Sequence, residues 1–439
     1  MAKIAATSLI LYSFLSTTIS ALPGVKSSLP VSCRSAESTP LPPSQDPWYT
    51  APDGYENTTP GTVLRVRDNP STSALVPNSS AAYNILYRTT DSNYQPSWAV
   101  TTLLIPAVLS NTTHNFTGGV APGSLLNFEL AYDSASVDMS PSYTFYTGRL
   151  DPSIPTALGL GWYVNVADYE GPLASFASGI QSGHATIDST RAALDPRFGI
   201  SSDAKYAIWG YSGGALAGEF AAELQEQYAP EMQFAGVALG GLTPNSNFTN
   251  FIAINNEGPE VSLLINAILG LASQDAAAEE YIKSQLKTTG PYNATGFFAA
   301  RMQNTTVDSV QYADQNLFDY FVNGSATFDD PVIQSMVDNY AVMGSHGVPQ
   351  MPVFAYKAIN DELSPVAETD ALVQTYCNAG SNILYQRNTI GGHLAEYNNG
   401  HDDALAFITA VLDGSYSELY NTSGCTIQNV TIAINTSPE

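Results

Sequence analysis

Apolar and polar positions fall into long, distinct blocks along the 439-residue chain. Between 61 and 106 the runs TVLRVR, AAYNILYRTT and SWAVTTLLIPA read as strands, antiparallel neighbours leading into a central sheet. Beyond them, strand-like runs take turns with helical periodicity. LLNFEL (125–130) runs from strand into loop, and ALGLGWYVNVADY (157–169) holds another strand. EGPLASFASGIQSGHATIDSTRAAL has the helical period, and Tyr206 to Trp209 is a short apolar strand. Leu216, Phe220 and Leu224 then recur at every fourth position on a helix, and QFAGVALG (233–240) is the next buried strand. Strand, helix, strand, helix in succession predicts an α/β protein with a mostly parallel sheet.

The pattern changes after residue 243. VSLLINAILGLAS, AAEEYIKSQL, TVDSVQYADQNLFDYFV and PVIQSMVDNYAVM are all helical in period, and the first is apolar on nearly every side. A block of this length between two sheet strands reads as a helical cap over the strand ends. MPVFAYKA (351–358) and NILYQRNT (382–389) resume the sheet, and DALAFITAVLDG reads as the last helix. The expected organisation is residues 1–21 as a leader, 22–243 as the first part of the core with an extended Pro- and Ser-rich arm over 22–60, 244–345 as the cap, and 346–439 as the second part of the core.

The leader changes the picture of where the protein works. Lys3, a short apolar region and small residues near Ser20-Ala21 have the make-up of a secretory signal, too short and too rich in Ser and Thr to span a bilayer. Acceptor motifs N-x-S/T stand at Asn57, Asn78, Asn111, Asn115, Asn247, Asn293, Asn304, Asn323, Asn421, Asn429 and Asn435. Together they predict a secreted, extracellular glycoprotein with those segments at the surface. A formal net charge of −25 leaves no basic patch for nucleic acid or an anionic membrane surface. Stable membrane insertion is not expected either, and the protein is expected to be a monomer.

Chemistry enters at Gly210-Tyr211-Ser212-Gly213-Gly214, a G-x-S-x-G motif with a strand before it and a helix after it. That context makes a nucleophile elbow, with Ser212 on a strained turn above the sheet and the Gly213 N–H free to meet an oxyanion. A phosphate loop is the poorer reading, because no Lys follows the glycines. A serine hydroxyl needs a general base, and the base needs a carboxylate to hold it. In this kind of sheet the order along the chain is serine, acid, histidine. His393, in the loop Gly391-Gly392-His393-Leu394 after NILYQRNT, is the candidate base, since His114 and His184 come too early and His346 precedes the acid. Asp361, in the turn after MPVFAYKA, is the candidate acid, with Glu362 as the fallback. The N–H of Asp133, in the loop that ends LLNFEL, is the candidate second oxyanion donor. Asp168-Tyr169-Glu170 and His401-Asp402-Asp403 read as hydrogen-bonded loop ends. No His, Cys and Asp spacing suggests a metal site, and no cofactor is expected.

The pieces YDSASVDMSPSYTFYTG, GWYVNVADYEGP, FASGIQSGHATIDSTRA, GYSGG, YKAINDELSP and GGHL, in this order, make the chain resemble the fungal secretory lipases of the lipase A type. The resemblance runs from about residue 46 to Cys425. It implies an α/β-hydrolase fold with a helical cap and hydrolysis of carboxylic esters. The family's nucleophile, acid and base fall on Ser212, Asp361 and His393, and its oxyanion donors on Asp133 and Gly213. It also implies a disulfide between Cys377 and Cys425, which leaves Cys33 over. Where family members often tie the Asp133 loop to the cap by a second disulfide, this chain has Met139. Triacylglycerol is the substrate the resemblance implies by default. A small acetyl ester of an apolar fungal metabolite is the alternative, because trichothecene C-3 esterases resemble the same family, and the missing tie, with a stretch after Cys425 shorter than the tail some family members carry, tilts toward the smaller substrate. A catalytically inactive lipid-binding protein on the same fold is the alternative of another class, and the intact Ser, Asp and His set speaks against it.

Overall fold

A computed structural model describes residues 40–107, 123–245, 248–256 and 258–434. Residues 1–21, read as a leader, and Cys33, His114 and the acceptor asparagines Asn111, Asn115, Asn247 and Asn435 lie outside the described residues. Among the described residues ten strands form one sheet: β1 (Val63–Asp68), β2 (Ser79–Thr90), β3 (Pro96–Pro106), β4 (Leu125–Glu129), β5 (Tyr163–Ala167), β6 (Tyr206–Tyr211), β7 (Val237–Gly240), β8 (Val353–Ala358), β9 (Ile383–Asn388) and β10 (Cys425–Val430). Their spatial order is β1-β2-β3-β5-β4-β6-β7-β8-β9-β10. The first three pair antiparallel in a meander, β3 joins β5 antiparallel, and every later pair is parallel. The chemistry depends on the parallel half, because all its strands end on one edge and their loops share that edge.

Sequence explains the local choices. β4, β5, β7 and β8 are buried at every residue, as strands covered on both faces must be. The helices Gly179–Ala193 and Gly213–Tyr228 pack side by side on one face of the sheet. Gly183 permits that approach, since a Cβ there would lie 2.7 Å from the Phe220 carbonyl carbon. The helix His401–Asp413 covers the other face through Phe407, Ile408 and Val411.

The segment between β7 and β8 is helical, with Phe248–Asn255, Val261–Ala272, Ala276–Gln285, Thr305–Gln311 and Pro331–Tyr340 as its longer pieces. Within the run read as one helix, TVDSVQYADQNLFDYFV, the chain breaks after Gln311 and forms a separate turn at Leu317–Tyr320. Asn316 caps that turn by accepting the Phe318 N–H, so a second start signal interrupts the period. ALGLGWYVNVADY is divided as well, with helix to Gly159 and strand only from Tyr163. The helix of DALAFITAVLDG is not the last element. A short helix at Tyr416–Leu419 and strand β10 follow it. Gln428 and Asn429 of β10 face solvent and Ile427 is 46% exposed, so this edge strand carries little apolar signal. Its first residue is bonded to the helix Val366–Ala379 through the disulfide Cys377–Cys425.

Candidate active site

Ser212 sits between β6 and the helix Gly213–Tyr228 at φ 55° and ψ −121°, a region non-glycine residues almost never occupy. The glycines around it are steric necessities. A Cβ on Gly210 would lie 2.2 Å from the Gly214 carbonyl oxygen, and one on Gly214 would lie 1.8 Å from that of Glu129. Any side chain at either position forces the turn open. The turn places Ser212 Oγ 2.8 Å from His393 Nε2, and His393 Nδ1 lies 2.8 Å from Asp361 Oδ2. These three residues come from the loops after β6, β9 and β8, which end on the same sheet edge.

The carboxylate of Asp361 is fully committed. Oδ1 accepts the N–H groups of Leu363 and Ser364, each at 2.9 Å. Oδ2 receives Lys357 Nζ at 2.7 Å besides the imidazole. Burial works against the charge, but the His393 hydrogen bond and the Lys357 ammonium outweigh it and hold the carboxyl down at about 2. Lys357 stands in the buried strand β8, where its second bond goes to the Leu242 carbonyl at 2.8 Å, and desolvation lowers its own pKa. Nothing in the sequence reading singled it out, although a lone Lys in an otherwise apolar strand was the available signal.

Glu362, the fallback acid, does different work. Its Oε2 accepts the His393 backbone N–H at 2.7 Å, and a Cβ on Gly392 would run into it. Tyr211 fixes the other side of the same loop by donating to the His393 carbonyl at 2.6 Å. The general-base candidate is thereby held at its backbone as well as at its ring.

Gly213 and Asp133 flank Ser212. The N–H of Gly213 is among the first of its helix, which have no acceptor within the helix itself. Asp133 has φ 48°, and a Cβ on Gly213 would lie 1.9 Å from its Oδ1. Burial raises the Asp133 carboxyl to about 6, against the opposing pull of Arg149 and His393. A cavity of about 50 Å³ opens beside Asp133, Ser212 and Gly213. Its wall is mostly apolar, with Phe176, Leu216, Phe248, Phe251, Leu263 and Ala267 in it, and it carries Thr243 and Asn245 as well.

The other histidines among the described residues are engaged elsewhere. His184 is buried under Tyr228, His346 faces Glu223, and His401 Nε2 lies 3.2 Å from Ser153 Oγ. Asp168 accepts the backbone N–H and hydroxyl of Ser142, as a loop-end carboxyl would. Among the acceptor asparagines, Asn57, Asn78, Asn304, Asn323, Asn421 and Asn429 are exposed and Asn293 is half-buried. Among the described residues no group of three or more His, Cys, Asp or Glu is placed to hold a metal ion, and no helix is long and apolar enough to cross a membrane.

Residues 138–418 match the family model described as secretory lipase. The chain is 46% identical to a trichothecene C-3 esterase of Fusarium sporotrichioides, over 91% of this chain and 90% of that protein. It is 34% identical to lipase A of Arthroderma benhamiae, over 86% and 81%. Among solved structures, Candida antarctica lipase A superposes with a TM-score of 0.76 at 26% identity, over 91% of both chains. These likenesses establish an α/β-hydrolase fold and a carboxylic ester hydrolase: the chain belongs to the secretory lipase family.

Proposed function

We propose that the protein hydrolyses short acyl esters of apolar alcohols through an acyl-enzyme on Ser212, with a trichothecene C-3 ester as the kind of substrate. The observation that carries the chemistry is the unbroken line of hydrogen bonds from Ser212 Oγ through His393 to Asp361. His393 Nε2 takes the hydroxyl proton as Ser212 Oγ attacks the ester carbonyl carbon. The N–H groups of Gly213 and Asp133 hold the oxyanion. Asp361 orients the imidazole and stabilises its cation. The alcohol leaves with the proton from Nε2, and a water activated by the same nitrogen releases the acid.

The small volume of the cavity supports a short acyl group. At about 10–15 Å³ for each water-sized group, 50 Å³ has room for about four, which suits an acetyl better than a long chain. The helices between β7 and β8, read as a cap over residues 244–345, wall that cavity. Hydrolysis of triacylglycerol is the second reading, favoured by the likeness to lipases and by an apolar wall that a longer chain could follow. Export fits the leader, the exposed acceptor asparagines and the disulfide.

Rates on a soluble acetate ester and on an emulsified long-chain triacylglycerol, with Ser212→Ala as the blank, test both readings. The expected result is turnover concentrated on the acetate and none in the blank. Rates dominated by the emulsion would overturn the short-acyl reading, and full activity in Ser212→Ala would overturn the mechanism.

A further inference from the structure

The helix Val261–Ala272 is apolar along its length except at Ser262 and Asn266, and Asn266 is 2% exposed. A primary amide buried in such a helix is costly unless every polar atom is matched. Here each is used. Asn266 Oδ1 accepts the backbone N–H of Ala135 at 2.7 Å. Asn266 Nδ2 donates to Asp308 Oδ2 at 3.0 Å and to the Ser262 carbonyl at 2.9 Å. Asp308 is fully buried and belongs to a different helix, Thr305–Gln311. A relay of three residues therefore runs from two helices of the inserted segment to the loop two residues after Asp133.

The far end of the same helix is fastened to the core. A Cβ on Gly270 would lie 2.4 Å from both the N and the O of Phe176, so the helix rests directly on that backbone. Ser273 Oγ lies 2.7 Å from Ser175 Oγ, and Gln274 joins Ser175 to the Ser92 N–H. The helix has little freedom to slide, and Asn266 passes its position on to the loop. Leu263 and Ala267, on either side of Asn266, wall the acyl cavity.

We propose that Asn266 is a positioning residue for the reaction: it sets the height of the Asp133 loop so that the Asp133 N–H meets the oxyanion, and Asp308 keeps its amide facing the right way. This rests on the reading of Asp133 as an oxyanion donor. The role of Asp308 follows from the chemistry of the amide. Either end of a carboxamide fits the same space, and an acceptor at Asp308 selects the orientation that offers oxygen to Ala135.

The test compares kcat and KM on a soluble acetate ester for three variants, with melting temperature and Ser212 labelling by a fluorophosphonate as controls. Asn266→Leu suits the apolar helix but leaves the Ala135 N–H unmatched. It should lower kcat about 10- to 100-fold with KM within about twofold, because the loss falls on transition-state stabilisation. Asn266→Asp alone sets two carboxyls face to face and should lose a similar factor. Asn266→Asp combined with Asp308→Asn reverses donor and acceptor between the two positions and keeps an oxygen for Ala135, but sets a carboxylate oxygen against the Ser262 carbonyl, so kcat should recover in part, to well above that of Asn266→Asp alone. Parental kcat in Asn266→Leu, or no recovery in the folded double variant, would overturn the proposal while leaving the Ser212 chemistry intact. A parent enzyme that is not labelled on Ser212 would overturn the site reading and this inference with it.

Discussion

Lys357 offers the sharpest energetic prediction. Its side chain and that of Asp361 are both 0% exposed and meet at 2.7 Å. The Asp361 carboxyl lies at about 2 rather than 3.8. A difference of nearly two units corresponds to about 2.5 kcal/mol, shared between the His393 hydrogen bond and the Lys357 charge. Lys357→Met removes the cation and leaves a buried carboxylate with three of its four partners. Breaking a buried pair from one side costs about 3–5 kcal/mol. Asp361→Asn breaks it from the other side and strands the ammonium. The double variant removes both charges and should cost far less than the two singles together. Urea unfolding at pH 7 should give a coupling of about 3 kcal/mol in this cycle. Asp361 contributes stability above about pH 4 that is lost as pH falls toward 2, so the acid limb of unfolding should be shallower in Lys357→Met. Activity separates the roles. Asp361→Asn should lose about 10⁴-fold in kcat, whereas Lys357→Met, which keeps the acid and its bond to His393, should stay within about tenfold. Additive single variants, or a Lys357→Met protein as stable as the parent, would refute the reasoning.

Three further outcomes are expected. Phe251→Ala, which enlarges the apolar cavity at its wall, should shift the preferred p-nitrophenyl ester from acetate toward butyrate or hexanoate; an unchanged chain-length profile would place the acyl group elsewhere. Burial raises Glu129 to about 8, Asp168 and Glu396 to about 7, and Asp133 and Asp188 to about 6. Their neutral forms favour the fold, so stability should be greatest near pH 4–5 and fall as pH rises to 8. Differential scanning fluorimetry should show a drop of at least about 5 °C over that range. Cys377→Ser opens a loop of sequence separation 48 and should cost about 2–4 kcal/mol in urea unfolding, with kcat nearly unchanged because the bond ties β10 rather than the site.

Much of the parallel part of the sheet was legible because its strands are short apolar runs separated by helical periods, a pattern that burial on both faces demands. The elbow was legible because a turn this tight admits only glycine at two positions, which leaves a written signature. Asp361 and His393 could be proposed as acid and base from chain order and from their places after strands, and they lie in line with Ser212. The partners that hold them in position could not. Lys357 looks like one polar letter in a strand, and its use depends on which carboxyl lies four residues on after the chain turns. Glu362 reads as a second acid, yet it binds a backbone N–H thirty-one residues away in sequence. Asn266 and Asp308 meet across 42 positions, a distance over which periodicity says nothing. β10 escaped because an exposed edge strand alternates weakly. Long-range polar contacts and edge pairing belong to the folded arrangement, and local pattern carries no record of them.

The central claim is that Ser212 is the nucleophile of the reaction. Incubation of the parent with a fluorophosphonate, followed by intact mass and peptide mapping, measures this directly. The account requires a single adduct on Ser212 that forms as ester hydrolysis is lost, with no adduct in Ser212→Ala. An adduct at another residue, or a fully inhibited enzyme carrying none, would contradict it.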